Sequence, residues 1–294
     1  MKPRGSISRQ VTDLFAYVLL PALALVTTAS FSRRVLRQAS GWNWLLSGDA
    51  ELAFTGARKH LEIPDREGWK RRWKQVELLD VRDLYMMLFG RAPSVMAEID
   101  CPANLEIVRD RVMVGMHWGP AISILKLLSL SELGPAFPFR LPEPELRRSR
   151  PFYYLFCLLA TRYLMRTLGD RAVPVGGAGK VLQGMLEEPG SICVLMDAPP
   201  MEGRPAVIKP VLGTKARFNA GFPDMMADRR KEFVLYAMTL AADGSTRKKL
   251  ELEGPFVAGN TEEFLDRYAE FLNRHLSQDS PHWRIWRAEH QFWG

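Results

Sequence analysis

The sequence predicts an α/β fold that begins with a hydrophobic helix. Two near-continuous apolar runs, Ile192–Met196 and Phe233–Thr239, are typical of strands buried in the centre of a sheet. A third run, Val112–Met116, ends at His117 and passes through a short turn into an apolar helical stretch from Ala121. Strand–turn–helix units build α/β folds, and polar residues at their strand ends often carry the chemistry.

Length, charge and composition limit the classes of function. The 294 residues are 47% apolar, which is enough for a buried core in one large domain or two small ones. The net charge of +7 suits an anionic membrane surface or a phosphate-bearing substrate. The chain has no zinc-finger spacing, basic zipper or RNA-recognition motif, so we expect no nucleic-acid partner.

The cysteines indicate neither a metal site nor a disulfide framework. Cys101, Cys157 and Cys193 are odd in number and far apart in the sequence. We therefore expect a reducing compartment and no bound metal.

Residues 1–35 are predicted to associate with a membrane. The run Leu14–Phe31 is uncharged, contains Pro21, and is at the lower length limit for a bilayer span. No small-residue cleavage site there is followed by a polar mature start, which argues against a cleaved signal peptide. A full span, an interfacial helix and a buried core helix remain open, and basic residues on both sides favour the interfacial helix slightly. These flanking residues are Lys2, Arg4, Arg9, Arg33, Arg34 and Arg37.

Residues 36–99 are predicted to form a helical lead-in region. Gly41–Trp44 carries two indoles that suit a membrane interface. Trp69–Lys74 mixes two tryptophans with four cations, so it is either a solvated helix face with its indoles packed inward or a headgroup contact. Asp80–Phe89 continues as an apolar-striped helix that ends at Gly90.

Several further elements follow from local patterns. Val95–Ile99 and Leu105–Val108 are predicted as short strands, and Leu250–Phe256 as an alternating edge strand. An aromatic-rich helix is predicted over Phe152–Leu168, with Arg162 and Arg166 on one of its faces.

A glycine-rich turn, Gly176–Gly179, joins the predicted strand Val173–Val175 to the predicted helix Lys180–Leu186. Such a turn can cradle a phosphate. It lacks Gly-Lys-Ser/Thr and Gly-x-Gly-x-x-Gly, however, so a plain tight turn is favoured.

His117 is the candidate catalytic residue because it alone among the histidines follows a predicted strand. The alternative is a strand-end histidine that only hydrogen-bonds the backbone. The other four histidines lie in charged or aromatic surroundings: His60, His275, His282 and His290.

The segment His117-Trp-Gly-Pro120 resembles the His-Phe-Gly segment of the lipid A late acyltransferases, the lauroyl/myristoyl transferases of the lysophospholipid acyltransferase-like superfamily. In that family a Glu or Asp occupies the fifth position after the histidine, where this chain has Ile122. The resemblance is colinear over residues 100–294, with the hydrophobic N-terminus in addition. Its later parts are Asp197, Gly203, Val211–Gly213, Thr214–Arg217, Gly221 and Pro281–Arg287.

This resemblance implies a mixed central β-sheet flanked by helices, in an acyltransferase-like domain over 100–294. It implies acyl transfer from an acyl carrier protein or coenzyme A thioester to a hydroxyl or amine of a lipid or lipid-like acceptor. No cofactor is expected to be bound. The protein would act at the cytoplasmic face of a bacterial inner membrane. A weak or inactive homologue that binds acyl chains or scaffolds a biosynthetic complex is the alternative, because the motif's acid is missing.

In this interpretation His117 is the general base. Asp197, at the end of a neighbouring strand, is the first candidate to orient it in place of the missing acid. Asp80, Asp83 and Glu98 are weaker candidates, and a water or a carbonyl is a further alternative. Six residues are assigned to substrate binding: Trp118, Gly119, Arg162, Arg166, Gly213 and Arg217. Trp283 and Trp286 are expected to be structural.

Overall fold

A computed structural model describes residues 7–175, 178–200, 206–241 and 247–293. Some residues singled out from the sequence lie outside this part of the chain. They are Lys2 and Arg4 of the basic flank, Gly176 and Gly177 of the glycine-rich turn, and Gly203.

The described residues contain nine strands, in three sheets. They are β1 Ile99–Asp100, β2 Val112–Gly115, β3 Phe137–Phe139, β4 Ala172–Pro174, β5 Ile192–Leu195, β6 Ala206–Val211, β7 Thr214–Asn219, β8 Glu232–Leu240 and β9 Lys248–Val257. The main sheet has the order β1-β9-β8-β2-β5. It is mixed, because β8 and β9 are antiparallel while the other neighbours are parallel. A parallel pair, β3-β4, and an antiparallel hairpin, β6-β7, complete the strands.

Twelve helices are described. They are α1 Ile7–Val26, with a π-helical turn at Phe15–Leu19, α2 Ala29–Ala39, α3 Ser47–Ala57, α4 Arg66–Leu88, α5 Ala92–Met96, α6 Ile122–Leu130, α7 Leu146–Ser149, α8 Pro151–Leu168, α9 Ala178–Met185, α10 Gly221–Asp228, α11 Thr261–Asp279 and α12 Glu289–Phe292. Short 3₁₀ turns occur at Leu105–Val108, Gly169–Arg171, Ser280–His282 and Arg284–Ala288.

The predicted α/β class and mixed central sheet are therefore confirmed. Strand β2 lies between β8 and β5 and is buried along its whole length, as its continuous apolar sequence requires. The long helix α4 is buried on nearly all sides because helices, the sheet and the C-terminal segment surround it. The hydrophobic core is continuous between the helices of the first 99 residues and the sheet.

The N-terminal helix α1 packs on the rest of the chain through one face. Asp13 on that face is buried and accepts two hydrogen bonds from Arg150, at 2.7 and 2.9 Å. The Tyr85 hydroxyl donates to the carbonyl of Tyr17 at 2.6 Å. Arg91 donates to carbonyls at the end of the helix, including that of Ala24 at 2.7 Å. Among the described residues, α1 is the one helix long and apolar enough to cross a membrane by length and composition.

Two predicted strands are wrong. Val95 and Met96 are the last two residues of helix α5, whose first turn holds Pro93, Ala97 and Glu98 form a turn, and only Ile99–Asp100 pairs in the sheet. Leu105–Val108 is a 3₁₀ turn. Short apolar runs of this length do not separate strand from helix by periodicity, so tertiary packing decided both cases.

The two tryptophan-rich segments have opposite environments. Trp69 and Trp73 are buried at 6% and 1% exposure, so the inward-packed alternative for Trp69–Lys74 is confirmed. Trp42 and Trp44 remain exposed.

Candidate functional site

The candidate site lies where two parallel strands end. Strands β2 and β5 pair in register, with Gly115 opposite Leu195, and the Met196 N–H donates to the carbonyl of Gly115 at 3.0 Å. His117 lies two residues after Gly115, and Asp197 lies two residues after Leu195. The sequence therefore brings both side chains to the carboxyl edge of the sheet, where open α/β sheets place their sites.

His117 and Asp197 form a directly bonded pair. Nδ1 of His117 is 2.8 Å from Oδ1 of Asp197, and the backbone N–H of His117 donates to Oδ2 at 2.7 Å. Asp197 is completely buried, whereas the His117 side chain is 36% exposed. Because Nδ1 faces a carboxylate, the proton of the neutral ring is assigned to Nδ1 and Nε2 carries the lone pair. Nε2 has no hydrogen-bond partner within the described ranges, so it is free to accept a proton.

A third side chain completes the surroundings of the carboxylate. The indole N–H of Trp283 donates to Oδ2 of Asp197 at 2.7 Å, and both side chains are fully buried. Asp197 therefore accepts hydrogen bonds on both oxygens, and the second donor fixes Oδ1 toward the imidazole. From the sequence, Trp283 was expected to have a structural role only. The available signal was general: a buried indole needs an acceptor, and the sequence did not identify which one.

The C-terminal segment lies directly against the His117 turn. The N–H of Arg284 donates to the carbonyl of His117 at 2.9 Å, and the N–H of Gly119 donates to the carbonyl of His282 at 2.9 Å. Gly119 has φ of +61°, and a Cβ there would lie 1.9 Å from the carbonyl oxygen of Met238. Glycine at this position is therefore required by the fold, which accounts for Gly119 without substrate contact.

The structure places Trp118 in the core. Its side chain is 1% exposed, its indole N–H donates to the Thr239 hydroxyl at 3.1 Å, and its ring stacks on His282 with centroids 5.4 Å apart. The geometry therefore does not support a substrate contact by this side chain. Successive residues of an extended turn point to opposite sides, so the turn that exposes His117 buries its neighbour.

Ile122, at the position of the missing acid, is the first residue of α6. Its N–H donates to Oδ1 of Asp80 at 3.1 Å. A carboxylate from α4 therefore caps the N-terminus of α6, the helix that follows the His117–Pro120 segment. Burial raises the pKa of Asp80, although Arg284 beside it acts in the opposite direction.

The weaker acid candidates are held by cations and not by His117. Asp80 bonds Arg284, Asp83 bonds Lys248, and Glu98 bonds Arg82. Of the four carboxylates considered from the sequence, only Asp197 reaches the histidine.

The other predicted substrate-binding residues lie apart from the pair. Arg162 and Arg166 are exposed on α8, and Arg217 is exposed on β7. Gly213 forms the β6–β7 turn with φ of +72°. No contact joins any of them to His117 or Asp197 in the described part of the chain.

Two buried tyrosines lie near the carboxylate. Burial, and then the neighbouring Asp197 charge, raises the pKa of Tyr268 well above its ordinary value. Burial also raises the pKa of Tyr236 well above its ordinary value, and Cys193 and Asp197 add to the effect. The Tyr268 hydroxyl donates to the carbonyl of Gly115 at 3.2 Å. Both phenols therefore stay protonated and support the strand ends without acting as bases.

The described residues contain no cluster of three or more metal-ligating side chains. Burial raises the pKa of Cys193 to about 12, so this thiol is a core group and not a nucleophile. The chemistry available at the site is that of one imidazole paired with one buried carboxylate.

No protein-family model matches the chain, and no curated protein is significantly similar to it.

Proposed function

We propose that the protein is a membrane-associated acyltransferase that moves a fatty acyl or related group from an acyl carrier protein or coenzyme A thioester to a hydroxyl or amine of a lipid or lipid-like acceptor. The observation that carries the proposal is the 2.8 Å contact between Nδ1 of His117 and Oδ1 of Asp197 at adjacent strand ends. A partly exposed imidazole oriented by a buried carboxylate is the arrangement that general-base catalysis uses. The order of motifs resembles that of the lipid A late acyltransferases, whose cytoplasmic inner-membrane location the proposal adopts.

In this mechanism Nε2 of His117 removes the proton from the acceptor as its oxygen or nitrogen attacks the thioester carbonyl carbon. Asp197 stabilises the imidazolium that forms and does not itself take the proton. The carbon–sulfur bond then breaks, and the leaving thiolate receives the proton from the imidazolium. The products are an ester or amide and a free thiol. Asp197 thus takes the place of the acid that the family carries at the position of Ile122.

The missing acid on α6 favours one alternative, a non-catalytic homologue that binds acyl chains or scaffolds a membrane complex. In that case the pair would only stabilise the turn. The two proposals differ in whether Nε2 of His117 is needed for turnover.

The decisive assay follows thiol release from long-chain acyl-coenzyme A and from acyl carrier protein thioesters, with bacterial membrane lipids as acceptors and mass spectrometry of the products. We expect turnover by the wild type and a loss of about 10²–10⁴-fold in His117→Ala. His290→Ala is the matched control, because this histidine is exposed and outside the site. Full activity in a folded His117→Ala variant would reject the mechanism.

Comparison of the lipids of cells with and without the gene identifies the acceptor. A new or missing acylated species is the expected result. An unchanged lipid profile, together with no turnover in the assay, would favour the scaffold alternative.

A further inference from the structure

The helix α1 is apolar on the face that points away from the protein. Positions spaced three or four residues apart share a helix face. Val11, Leu19 and Val26 lie on the outer side and are 45%, 44% and 81% exposed. The opposite face, with Tyr17 and Leu20, is buried. A surface helix normally has a polar outer face, so the apolar outer face of α1 indicates a further apolar contact.

Two exposed indoles extend this apolar surface. The ring of Trp44 packs edge-on against Phe15 of α1, with centroids 5.0 Å apart. Trp42 stacks on Trp44 at 5.6 Å, and the two side chains are 38% and 44% exposed. We use the term indole face for the surface formed by Val11, Leu19 and Val26 of α1 together with Trp42 and Trp44. Tryptophan is the residue most suited to the boundary between headgroups and acyl chains.

Exposed cations occur in the segments that adjoin the indole face. Arg71 is exposed and lies next to Gly41 at the start of the tryptophan segment. Arg34 and Arg37 are exposed on α2, the helix between α1 and that segment. Within the described ranges none of the three forms an ion pair with an acidic side chain. Arginines without an acidic partner, next to exposed indoles, suit a lipid bilayer, whose interior is apolar and whose headgroup layer is anionic.

The inner face of α1 prevents the helix from standing across a bilayer. A span would remove Asp13 from its buried ion pair with Arg150 and place a carboxylate in hydrocarbon. It would also break the bonds from Arg91 to the helix end. A helix that stays packed on the domain exposes only one side to lipid.

We infer that the indole face lies in the plane of an anionic lipid bilayer surface, with α1 as an interfacial helix that does not span. This decides between the alternatives left open for the N-terminal segment. It deepens the proposed membrane association and does not depend on acyl transfer, since binding is measured with lipid alone.

The test uses the purified full chain and flotation with vesicles of phosphatidylcholine, with and without phosphatidylglycerol. Removal of the segment would be a poor test, because it would also remove the buried Tyr17 and Leu20. The variant therefore changes only the indole face: Val11→Ser, Leu19→Ser and Trp44→Ala together. We expect a fall in the partition coefficient of at least about tenfold, and stronger wild-type binding to the anionic vesicles.

Ile208→Ser with Val257→Ser is the matched control. These side chains are similarly exposed, at 57% and 46%, and lie on β6 and β9. The control should bind like the wild type. Equal binding by the two multiple variants would overturn the inference. Trp44→Ala alone, at an exposed position, should weaken binding in the same direction without a fall in the melting temperature.

Depth and extraction distinguish an interfacial helix from a span. Trp42 and Trp44 should be quenched most by lipids brominated near the headgroup, and alkaline carbonate should release the bound protein. Retention after carbonate would show a span and overturn the inference. A dimer in light scattering that the triple variant dissociates, without vesicle binding by the wild type, would assign the face to a second copy instead. Failure of vesicle binding with normal thioester turnover would reject only this inference.

Discussion

The described residues contain two histidine–aspartate pairs, and their surroundings differ. In the first, the His117 ring is 36% exposed and Asp197 is buried. In the second, the His282 ring is fully buried and Asp279 is 28% exposed. Nδ1 of His282 faces Oδ1 of Asp279 at 3.1 Å, while Nε2 accepts the backbone N–H of Leu240 at 3.0 Å.

The two pairs differ in whether the second ring nitrogen, Nε2, also bonds to the protein. His282 uses both nitrogens for the protein, so its ring joins the C-terminal segment to the end of β8 and has no capacity left for a reaction. His117 uses Nδ1 for Asp197, and its Nε2 has no hydrogen-bond partner in the part of the chain that the structure describes. A histidine–carboxylate contact alone is therefore a poor marker of catalysis, and the free nitrogen is the more informative feature.

The largest expected effect comes from a double-mutant cycle on the first pair. If the proposed mechanism holds, His117→Ala and Asp197→Asn should each lower kcat/KM by about 10²–10⁴-fold, because the first change removes the proposed base and the second removes the carboxylate that orients it. The double variant should be little worse than either single variant, since the two groups act as a unit. Steady-state kinetics on the thioester substrate measure the cycle. If the two losses in kcat/KM instead multiply in the double variant, Asp197 stabilises the fold and does not orient His117.

A smaller effect is expected from Trp283→Phe, which removes the indole donor to Asp197 and keeps an aromatic ring. We expect roughly a tenfold loss in kcat/KM. The loss is expected because the carboxylate would lack the hydrogen bond that fixes Oδ1 toward the imidazole.

Trp286→Phe is the control for that experiment. Trp286 is equally buried, and its indole N–H donates to the carbonyl of Ser280, away from Asp197. Both variants should lose similar stability in thermal denaturation. Equal values of kcat/KM for the two variants would limit Trp283 to a packing role.

The smallest effect concerns the second pair and is one of stability. Burial opposes ionisation of Asp279, but His282 and Arg72 outweigh it and lower the pKa of this carboxyl below its ordinary value. The folded state therefore favours the carboxylate. Its stabilising contribution is present above the unfolded pKa of about 4 and is lost as the pH falls through the lower folded value.

Asp279→Asn should accordingly lower the free energy of unfolding at pH near 7, and the gap to the wild type should narrow as the pH falls below about 4. Urea denaturation of both proteins, from about pH 7 to below about pH 4, measures this difference in the free energy of unfolding. Asp170→Asn, at an exposed position, serves as the control. A gap that stays constant with pH would mean that the ionised carboxylate contributes nothing.

The pairing of His117 with Asp197 was predictable because it depends on short-range patterns. Two apolar runs, each followed by one polar residue, define strand ends, and neighbouring parallel strands bring those ends together. The burial of Trp118 and the donor role of Trp283 were not predictable. Both depend on how the C-terminal segment packs against the turn, and no local pattern encodes a contact between residues 86 positions apart.

The same limit explains the substrate-binding assignments. Arg162 and Arg166 were placed correctly on one helix face, but the sequence did not show that this face is exposed and away from the pair. The strand errors at Val95–Ile99 and Leu105–Val108 arose because runs of four or five residues carry too little periodicity.

The contact between Trp283 and Asp197 also sets an order of events during synthesis. His117 and Asp197 belong to strands that can pair as soon as both have been made, but the carboxylate lacks its indole donor until residue 283 has left the ribosome. Chains interrupted before that point contain both members of the pair without the group that fixes them. Synthesis therefore completes the sheet first and the orientation of its carboxylate later, so the hydrogen bonds of the His117–Asp197 pair are complete only after nearly all of the chain has been made.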